Sequence, residues 1–132
     1  MTTVLFACIH NAGRSQMASA FFNHLADPTM ARSLSAGTDP GECVHPEVVR
    51  VMREVGIELE ASRPRRLTTE LASSAQLLVT MGCGDACPPI SALRREDWSL
   101  DDPKGLPLER VRAIRDDIRE RVARLIEIEK WR

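Results

Sequence analysis

The sequence predicts an α/β fold in which a four-stranded parallel sheet carries helices on both faces. Strand-like apolar runs alternate along the chain with segments of helical periodicity, which is typical of βαβ units. The first run, residues 3–8, is continuously apolar and rich in β-formers, as buried parallel strands are. The chain has 132 residues and is 43% hydrophobic, so we expect a single domain over residues 1–132 with one substantial core.

The first half of the chain contains two predicted strands and two predicted helices. A helix is expected over residues 15–25, where apolar residues recur at helical spacing, and Asp27-Pro28 closes it. A second strand is expected over residues 32–36. His45-Pro46 then opens a helix that Gly56 stops.

The second half completes the alternation. We expect a short helix over residues 67–74, a third strand over 76–81, a fourth strand near 96–100 and a long helix over 108–130. The long helix has a single apolar stripe, formed by Val111, Ile114, Ile118, Val122, Leu125 and Ile126. On its polar side, Asp117–Arg121 and Glu120–Arg124 have the i,i+4 spacing of ion pairs.

Composition narrows the functional classes. The net charge is −1, no long basic run occurs and aromatic residues make up 4%, so nothing indicates nucleic-acid binding. The first apolar run is too short to span a bilayer and no signal peptide is recognisable, so we expect no membrane association and a cytoplasmic location. In the cytosol, four cysteines more often mean chemistry or metal binding than structural disulfides.

The stretch FACIHNAGRSQ, which starts at Phe6, predicts an anion-binding site. It connects a strand to a helix, and the first turn of a helix leaves backbone N–H groups free to bind an anion. Gly13 gives the backbone the freedom to form a tight loop. Arg14 can bind an oxyanion through two parallel hydrogen bonds. Ser15 can cap the helix and donate a hydrogen bond. Cys8 stands where helix amides and a guanidinium favour the thiolate. The stretch therefore predicts a nucleophile aimed at a bound oxyanion.

Cys-x5-Arg-Ser after a first strand resembles the phosphate loop of the low-molecular-weight protein tyrosine phosphatases. The fuller string CIHNAGRSQMA is similar to the arsenate reductases built on the same fold. Four further strings support that branch over nearly the whole chain: SAGT, VHPEVVRVMREVGI, VTMGCGDACP and DWSLDDP.

The resemblance implies a role for each residue of the motif. Cys8 would be the nucleophile, Asn11 would hold the loop in shape, and Asp102, followed by Pro103, would protonate the leaving oxygen as general acid. The expected oxyanion-binding residues are Ile9, His10, Asn11, Ala12, Gly13, Arg14 and Ser15. His10 could tune Cys8, although we expect its side chain to point away and shape the loop.

Arsenate reduction needs two electrons, which a second thiol can supply by attacking the sulfur of Cys8. Cys83 and Cys87 follow the third strand, so we predict a relay in which Cys83 attacks Cys8 and Cys87 then attacks Cys83. Thioredoxin is the expected electron donor, and no bound cofactor is expected.

No metal is expected either, because Cys-x3-Cys without a second pair is a poor zinc signature. Cys43 is interpreted as an ordinary loop or core residue.

Some relatives bind a potassium ion beside the loop through an acidic residue on the following helix. The matching residue here is Ser19, so we expect no such ion. The segment Pro89-Ile-Ser-Ala-Leu-Arg94 also departs from the Pro-Gly-Lys pattern expected in close relatives. We expect a monomer.

Three alternatives remain open at this point. A tyrosine phosphatase would share Cys8, Arg14 and Asp102, but those enzymes usually have Tyr after the Asp-Pro, where Lys104 stands here, and this chain contains no Tyr. An arsenate reductase that uses mycothiol or glutathione with a glutaredoxin-like partner, such as a mycoredoxin, would need only Cys8. A non-catalytic domain would bind the oxyanion without converting it.

Overall fold

The computed structural model describes residues 1–82 and 94–132 and confirms the predicted α/β class. Its four strands form one parallel sheet with the order β2-β1-β3-β4. The strands are β1, Thr2–Cys8; β2, Ala31–Gly37; β3, Leu77–Thr80; and β4, Arg94–Asp97. The chain leaves β1 toward β2 and later returns to β3 on its other side. The ends of β1 and β3 therefore form the switch point at which open α/β sheets bind ligands.

In the described residues, four helices lie close to where the sequence predicts them. They are α1, Arg14–Leu25; α2, Pro46–Arg53; α3, Thr69–Ser73; and α4, Leu108–Glu129. Pro46 occupies the first turn of α2, where a missing N–H costs nothing. Thr68 caps α3 by accepting a hydrogen bond from the N–H of Leu71.

Both faces of the sheet are buried, and β1 shows how. Val4, Phe6 and Cys8 point into the larger core cluster, which contains the apolar residues of α1, α2 and α4. Leu5 and Ala7 point the other way, into a smaller cluster under α3. Because successive side chains of a strand face opposite sides, a continuously apolar β1 is what a sheet covered on both faces requires.

The long helix α4 matches its prediction in detail. All six residues of its predicted apolar stripe are buried. The Arg121–Asp117 pair has an N–O distance of 2.9 Å and the Arg124–Glu120 pair one of 3.6 Å. A stronger link that the pattern does not reveal joins α4 to the end of α2, because Glu54 accepts hydrogen bonds from both Arg112 and Arg115 at 2.8 Å.

The predicted position of the fourth strand was wrong by two residues at its start and by three at its end. We expected residues 96–100, whereas β4 is Arg94–Asp97, a mostly exposed edge strand. Trp98 directly after it still donates its backbone N–H to the Thr80 carbonyl at 2.8 Å. Its indole is buried, with its ring centroid 5.7 Å from that of Phe6. The apolar residues that suggested a strand therefore belong to the segment leading out of it.

No helix in the described parts of the chain, residues 1–82 and 94–132, is both long and apolar enough to cross a membrane.

Candidate oxyanion site

The loop between β1 and α1 lies at the switch point, and its carbonyl groups are all held from outside. Five successive carbonyl oxygens, from Cys8 to Ala12, accept hydrogen bonds from other parts of the chain. The pairs are Cys8 O with Thr38 N (3.2 Å), Ile9 O with Asp39 N (2.8 Å), His10 O with Gly41 N (2.9 Å), Asn11 O with Gln16 Nε2 (3.1 Å) and Ala12 O with His45 N (2.9 Å).

The N–H groups of the same loop are left for a ligand. In a trans peptide the N–H points opposite to the preceding carbonyl, so carbonyls held from outside turn the amides of residues 9–13 toward the inside of the loop. Within the described residues, the N–H groups of residues 10–13 donate to no other protein group. The first amides of α1 add to this set, and together they form a concavity that suits an anion.

Asn11 fixes the shape of the loop. It is fully buried and adopts a left-handed backbone conformation, with φ of 50°, which Asn tolerates better than most residues. Its side-chain amide donates to Ser15 Oγ at 2.7 Å, and its Oδ1 accepts from the N–H of Arg65 at 3.0 Å. Gln16 adds a contact that sequence reasoning missed: its Nε2 lies within 3.2 Å of both oxygens of Asn11. These contacts fit the loop-holding role that the resemblance implies for Asn11.

Cys8 ends β1 at the base of the loop. Its side chain is almost completely buried, with 2% exposed, and its sulfur lies 2.9 Å from Ser15 Oγ. The prediction that Ser15 caps α1 was wrong. The helix begins at Arg14 without any side-chain cap. The Ser15 hydroxyl is occupied by Cys8 and Asn11 instead, because the helix turns that side chain inward.

Arg14 extends from the first residue of α1 across the ends of β3 and β4. Only 7% of its side chain is exposed. Nη1 donates to the Leu100 carbonyl at 3.2 Å, and Nη2 lies 3.8 Å from Asp102 Oδ2. The guanidinium thus lies at the edge of the sheet beside the loop, and a guanidinium can donate two parallel hydrogen bonds to an oxyanion.

Gly13 has a packing role that we did not predict. Its φ of −145° lies outside the left-handed region, and the atoms around its missing Cβ give a further reason for a glycine here. A Cβ at this position would lie 2.8 Å from Pro103 Cγ and 3.6 Å from the His45 ring. The glycine therefore allows the segment carrying Asp102 and Pro103 to pack directly against the loop.

Asp102 lies in an exposed turn after β4, and Arg14 is its charged neighbour across the site. Its Oδ1 accepts a hydrogen bond from the N–H of Lys104 at 3.0 Å, and the Pro103 that follows is buried. His45, half-buried behind Gly13, has a pKa lowered mainly by burial, with the Asp102 carboxylate opposing that shift. The structure therefore brings Asp102 to the same sheet edge as Arg14.

The remaining predicted residues have simpler surroundings. His10 directs its Nδ1 to the Asp39 carbonyl at 2.9 Å, so its ring braces the loop from outside. Cys43 is an exposed free cysteine in the loop before α2. Ser19 is buried on α1, and its hydroxyl lies 2.8 Å from that of Ser33.

Cys83 and Cys87 lie outside the described residues, which end at Gly82 and resume at Arg94. Sequence reasoning also did not predict the contacts that two glycines make near the site. A Cβ on Gly37, at the end of β2, would lie 2.6 Å from the Ile9 carbonyl oxygen, and a Cβ on Gly82 would overlap Arg14 Nη1. No short-range pattern could reveal them, because each glycine is required by a segment distant in sequence.

Comparison with known proteins agrees with this geometry. Residues 3–130 match the family model described as low molecular weight phosphotyrosine protein phosphatase. A Halobacterium salinarum protein with the provisional name of arsenate reductase is 40% identical over 126 residues, or 92% of this chain and 89% of its own length. The glutaredoxin arsenate reductase of Synechocystis sp. is 35% identical over 129 residues, or 96% of this chain and 97% of its own.

A solved structure gives the same result for the fold. The thioredoxin-dependent arsenate reductase Cg_ArsC1' of Corynebacterium glutamicum superposes with a TM-score of 0.82 at 35% identity, over 96% of this chain and 61% of that longer one. The loop after β1 has a buried cysteine at its base, and the family model matches residues 3–130. This chain therefore belongs to the low molecular weight phosphotyrosine protein phosphatase family.

Proposed function

We propose that this protein reduces arsenate to arsenite, with Cys8 as the nucleophile. The observation that carries the proposal is the buried Cys8 sulfur, which lies 2.9 Å from a hydroxyl group at the base of a loop whose amides face inward. Similarity to the arsenate reductases of Halobacterium salinarum, Synechocystis and Corynebacterium glutamicum supports arsenate as the oxyanion.

In the first step the Cys8 thiolate attacks arsenic. The loop amides and the Arg14 guanidinium hold the arsenate oxygens and offset the charge that develops on them. One arsenic–oxygen bond breaks, and Asp102 donates a proton so that the oxygen leaves as water rather than hydroxide. The product is an arsenic(V) group bound to the sulfur of Cys8.

In the second step the Cys83 thiolate attacks the sulfur of Cys8. The electron pair of the sulfur–arsenic bond moves to arsenic, which leaves as arsenite, and a Cys8–Cys83 disulfide remains. Cys87 then attacks Cys83, which releases the Cys8 thiolate and leaves a Cys83–Cys87 disulfide. A dithiol donor returns that disulfide to two thiols and completes the cycle. This relay is a proposal from the sequence pattern.

Thioredoxin is our first choice of donor, because a three-cysteine relay ends in a protein disulfide that a dithiol protein can reduce. The name of the Corynebacterium glutamicum relative supports this choice, whereas that of the Synechocystis relative supports a glutaredoxin. Either donor belongs to a compartment that keeps thiols reduced, so the proposal places the protein in the cytoplasm. We propose that it acts there as a monomer.

A phosphatase is the second candidate, favoured by the family match and by the presence of Cys8, Arg14 and Asp102. Phosphate release needs only water and one thiol, so the two activities separate by their need for Cys83 and Cys87. The chain contains no Tyr, which argues against a site entrance whose Tyr side chains stack on a phosphotyrosine ring.

The deciding experiment measures arsenate-dependent NADPH oxidation with thioredoxin and thioredoxin reductase, and in parallel with glutathione and glutaredoxin. Wild type is compared with Cys8→Ser, Cys83→Ser, Cys87→Ser and, as a control thiol, Cys43→Ser. We expect the first three variants to fail at multiple turnover and Cys43→Ser to resemble wild type. Full activity of Cys83→Ser with glutathione would replace the relay by the single-thiol route. Hydrolysis of p-nitrophenyl phosphate without arsenate reduction would favour the phosphatase.

A further inference from the structure

Gly82, two residues past the end of β3, is in direct contact with the guanidinium of Arg14. A Cβ built on Gly82 would overlap Arg14 Nη1 and lie 3.2 Å from Cζ and 3.7 Å from Nη2. A distance near 3 Å is shorter than carbon atoms tolerate, so the guanidinium occupies the space that any side chain at this position would need. The contact spans 68 positions in sequence, and no local pattern predicts it.

The guanidinium also contacts the segment after β4. Nη1 donates to the Leu100 carbonyl at 3.2 Å, and Nη2 faces Asp102 Oδ2 at 3.8 Å. The Arg14 side chain is only 7% exposed. The guanidinium is therefore in contact with both the end of β3 and the segment after β4.

We propose that Gly82 is a positioning residue of the oxyanion site, which sets where the Arg14 guanidinium can lie. The inference rests on the proposed function in one respect, namely that Arg14 binds a tetrahedral oxyanion. Bidentate binding depends on the orientation of the guanidinium plane, so a displaced guanidinium loses hydrogen bonds even though its charge remains.

The effect of a side chain at this position can be separated from backbone strain. Gly82 has φ of 98°, a conformation that costs any other residue some stability. Gly56 has a similar φ of 83°, but nothing lies within 4 Å of its missing Cβ. Gly56→Ala therefore reproduces the backbone strain without the contact, and it lies in the turn after α2, outside the site.

We expect Gly82→Ala to fold, because the overlapping atoms belong to the free end of a side chain that can move. Its affinity for inorganic phosphate, used as a non-reducible oxyanion, should fall about tenfold or more, the loss expected for misaligned charged hydrogen bonds. Arsenate KM should rise by a similar factor and kcat should change less. Gly56→Ala should show the loss of thermal stability that backbone strain alone causes, but it should bind phosphate like wild type.

A double-mutant cycle with Arg14→Lys tests the mechanism itself. Lysine has no guanidinium plane to be displaced, so adding Gly82→Ala to Arg14→Lys should change phosphate affinity less than twofold, well below the effect in wild type. Equal fold-changes in the two backgrounds would show that position 82 acts independently of Arg14 and would overturn the proposal.

Two other results have distinct meanings. Wild-type phosphate affinity in a folded Gly82→Ala variant would also overturn the proposal. If wild type binds phosphate and Gly82→Ala does not, yet neither reduces arsenate with any donor, the role of Gly82 stands and the proposed function fails.

Discussion

The hydroxyl oxygen of Ser15 lies 2.9 Å from the sulfur of Cys8 and also accepts a hydrogen bond from Asn11 Nδ2 at 2.7 Å. Because the Asn11 amide supplies one hydrogen, the hydroxyl's own hydrogen is free to point at the sulfur. Such a donor stabilises the thiolate more than the thiol. We therefore expect Ser15 to act on the reactivity of Cys8, since it makes no side-chain cap at the start of the helix.

Ser15→Ala should lower the rate at which iodoacetamide alkylates Cys8 at neutral pH. Loss of a hydrogen bond to a charged sulfur predicts about a tenfold decrease. Ser19→Ala is the matched control, because it removes a buried hydroxyl one turn further along α1 that pairs with Ser33 instead. Both variants are made with Cys43→Ser, Cys83→Ser and Cys87→Ser, so that only Cys8 reacts. Equal rates in the two variants would exclude the proposed role of Ser15.

Asn11→Ala should disorder the loop between β1 and α1 while the rest of the protein stays folded. The change removes the hydrogen bonds to Ser15 Oγ and to the N–H of Arg65 and leaves alanine in a left-handed conformation. We expect a loss of about 2–4 kcal/mol in the free energy of unfolding, measured with urea.

The matched control for Asn11→Ala is Asn23→Ala, since Asn23 also bonds a distant segment, accepting from the Ser33 N–H at 2.8 Å. That variant should lose stability but retain phosphate binding. Phosphate binding by Asn11→Ala at wild-type affinity would contradict the loop-holding role.

Asp102→Asn should reduce kcat for arsenate by about 10²–10⁴-fold, the range expected when a general acid is lost. Because Asp102 is exposed, the variant should fold normally. The neighbouring Asp101→Asn is the control, because Asp101 is also an exposed carboxylate but pairs with Arg110, at 3.4 Å. Similar kcat values for the two variants would remove Asp102 from the mechanism.

Glu54→Gln should make stability less dependent on pH in the acid range. The hydrogen bonds from Arg112, with a further contribution from Arg115, lower the pKa of Glu54 from its ordinary value of 4.5 to about 2. A carboxyl whose pKa is lower in the folded state contributes stability above its unfolded pKa, and that contribution is lost as the pH falls from about 4.5 to about 2.

Urea unfolding of wild type and Glu54→Gln at several acidic pH values measures this difference. Glu120→Gln, which removes the exposed partner of Arg124, is the control. If the free energy of unfolding depends on pH equally in wild type and in Glu54→Gln, the Glu54–Arg112–Arg115 cluster is not formed in solution.

The sequence predicted those parts of the fold that depend on local periodicity. The spacing of apolar residues predicted the buried face of α4, and the continuous apolar run predicted that β1 is buried on both faces. Both predictions were confirmed. β4 was misplaced because an exposed edge strand has no apolar alternation, while the buried Trp98 follows it.

The candidate site divides in the same way. Cys8 and Arg14 could be found because a strand–loop–helix junction confines them to a short stretch. The inward turn of Ser15, the contact of Gly13 with Pro103 and that of Gly82 with Arg14 depend on segments far apart in sequence. Tertiary packing decides these details, and residue types alone do not reveal them.

The central claim is that the sulfur of Cys8 attacks arsenate, and a single-turnover assay tests it most directly. Fully reduced protein is mixed with arsenate in the absence of any donor, and the arsenite formed per chain is measured. Wild type should form about one equivalent, limited by one relay disulfide per chain. Cys8→Ser should form none, although oxygen is a close replacement for sulfur at a site that is 2% exposed. Arsenite at the wild-type yield from Cys8→Ser would contradict the claim.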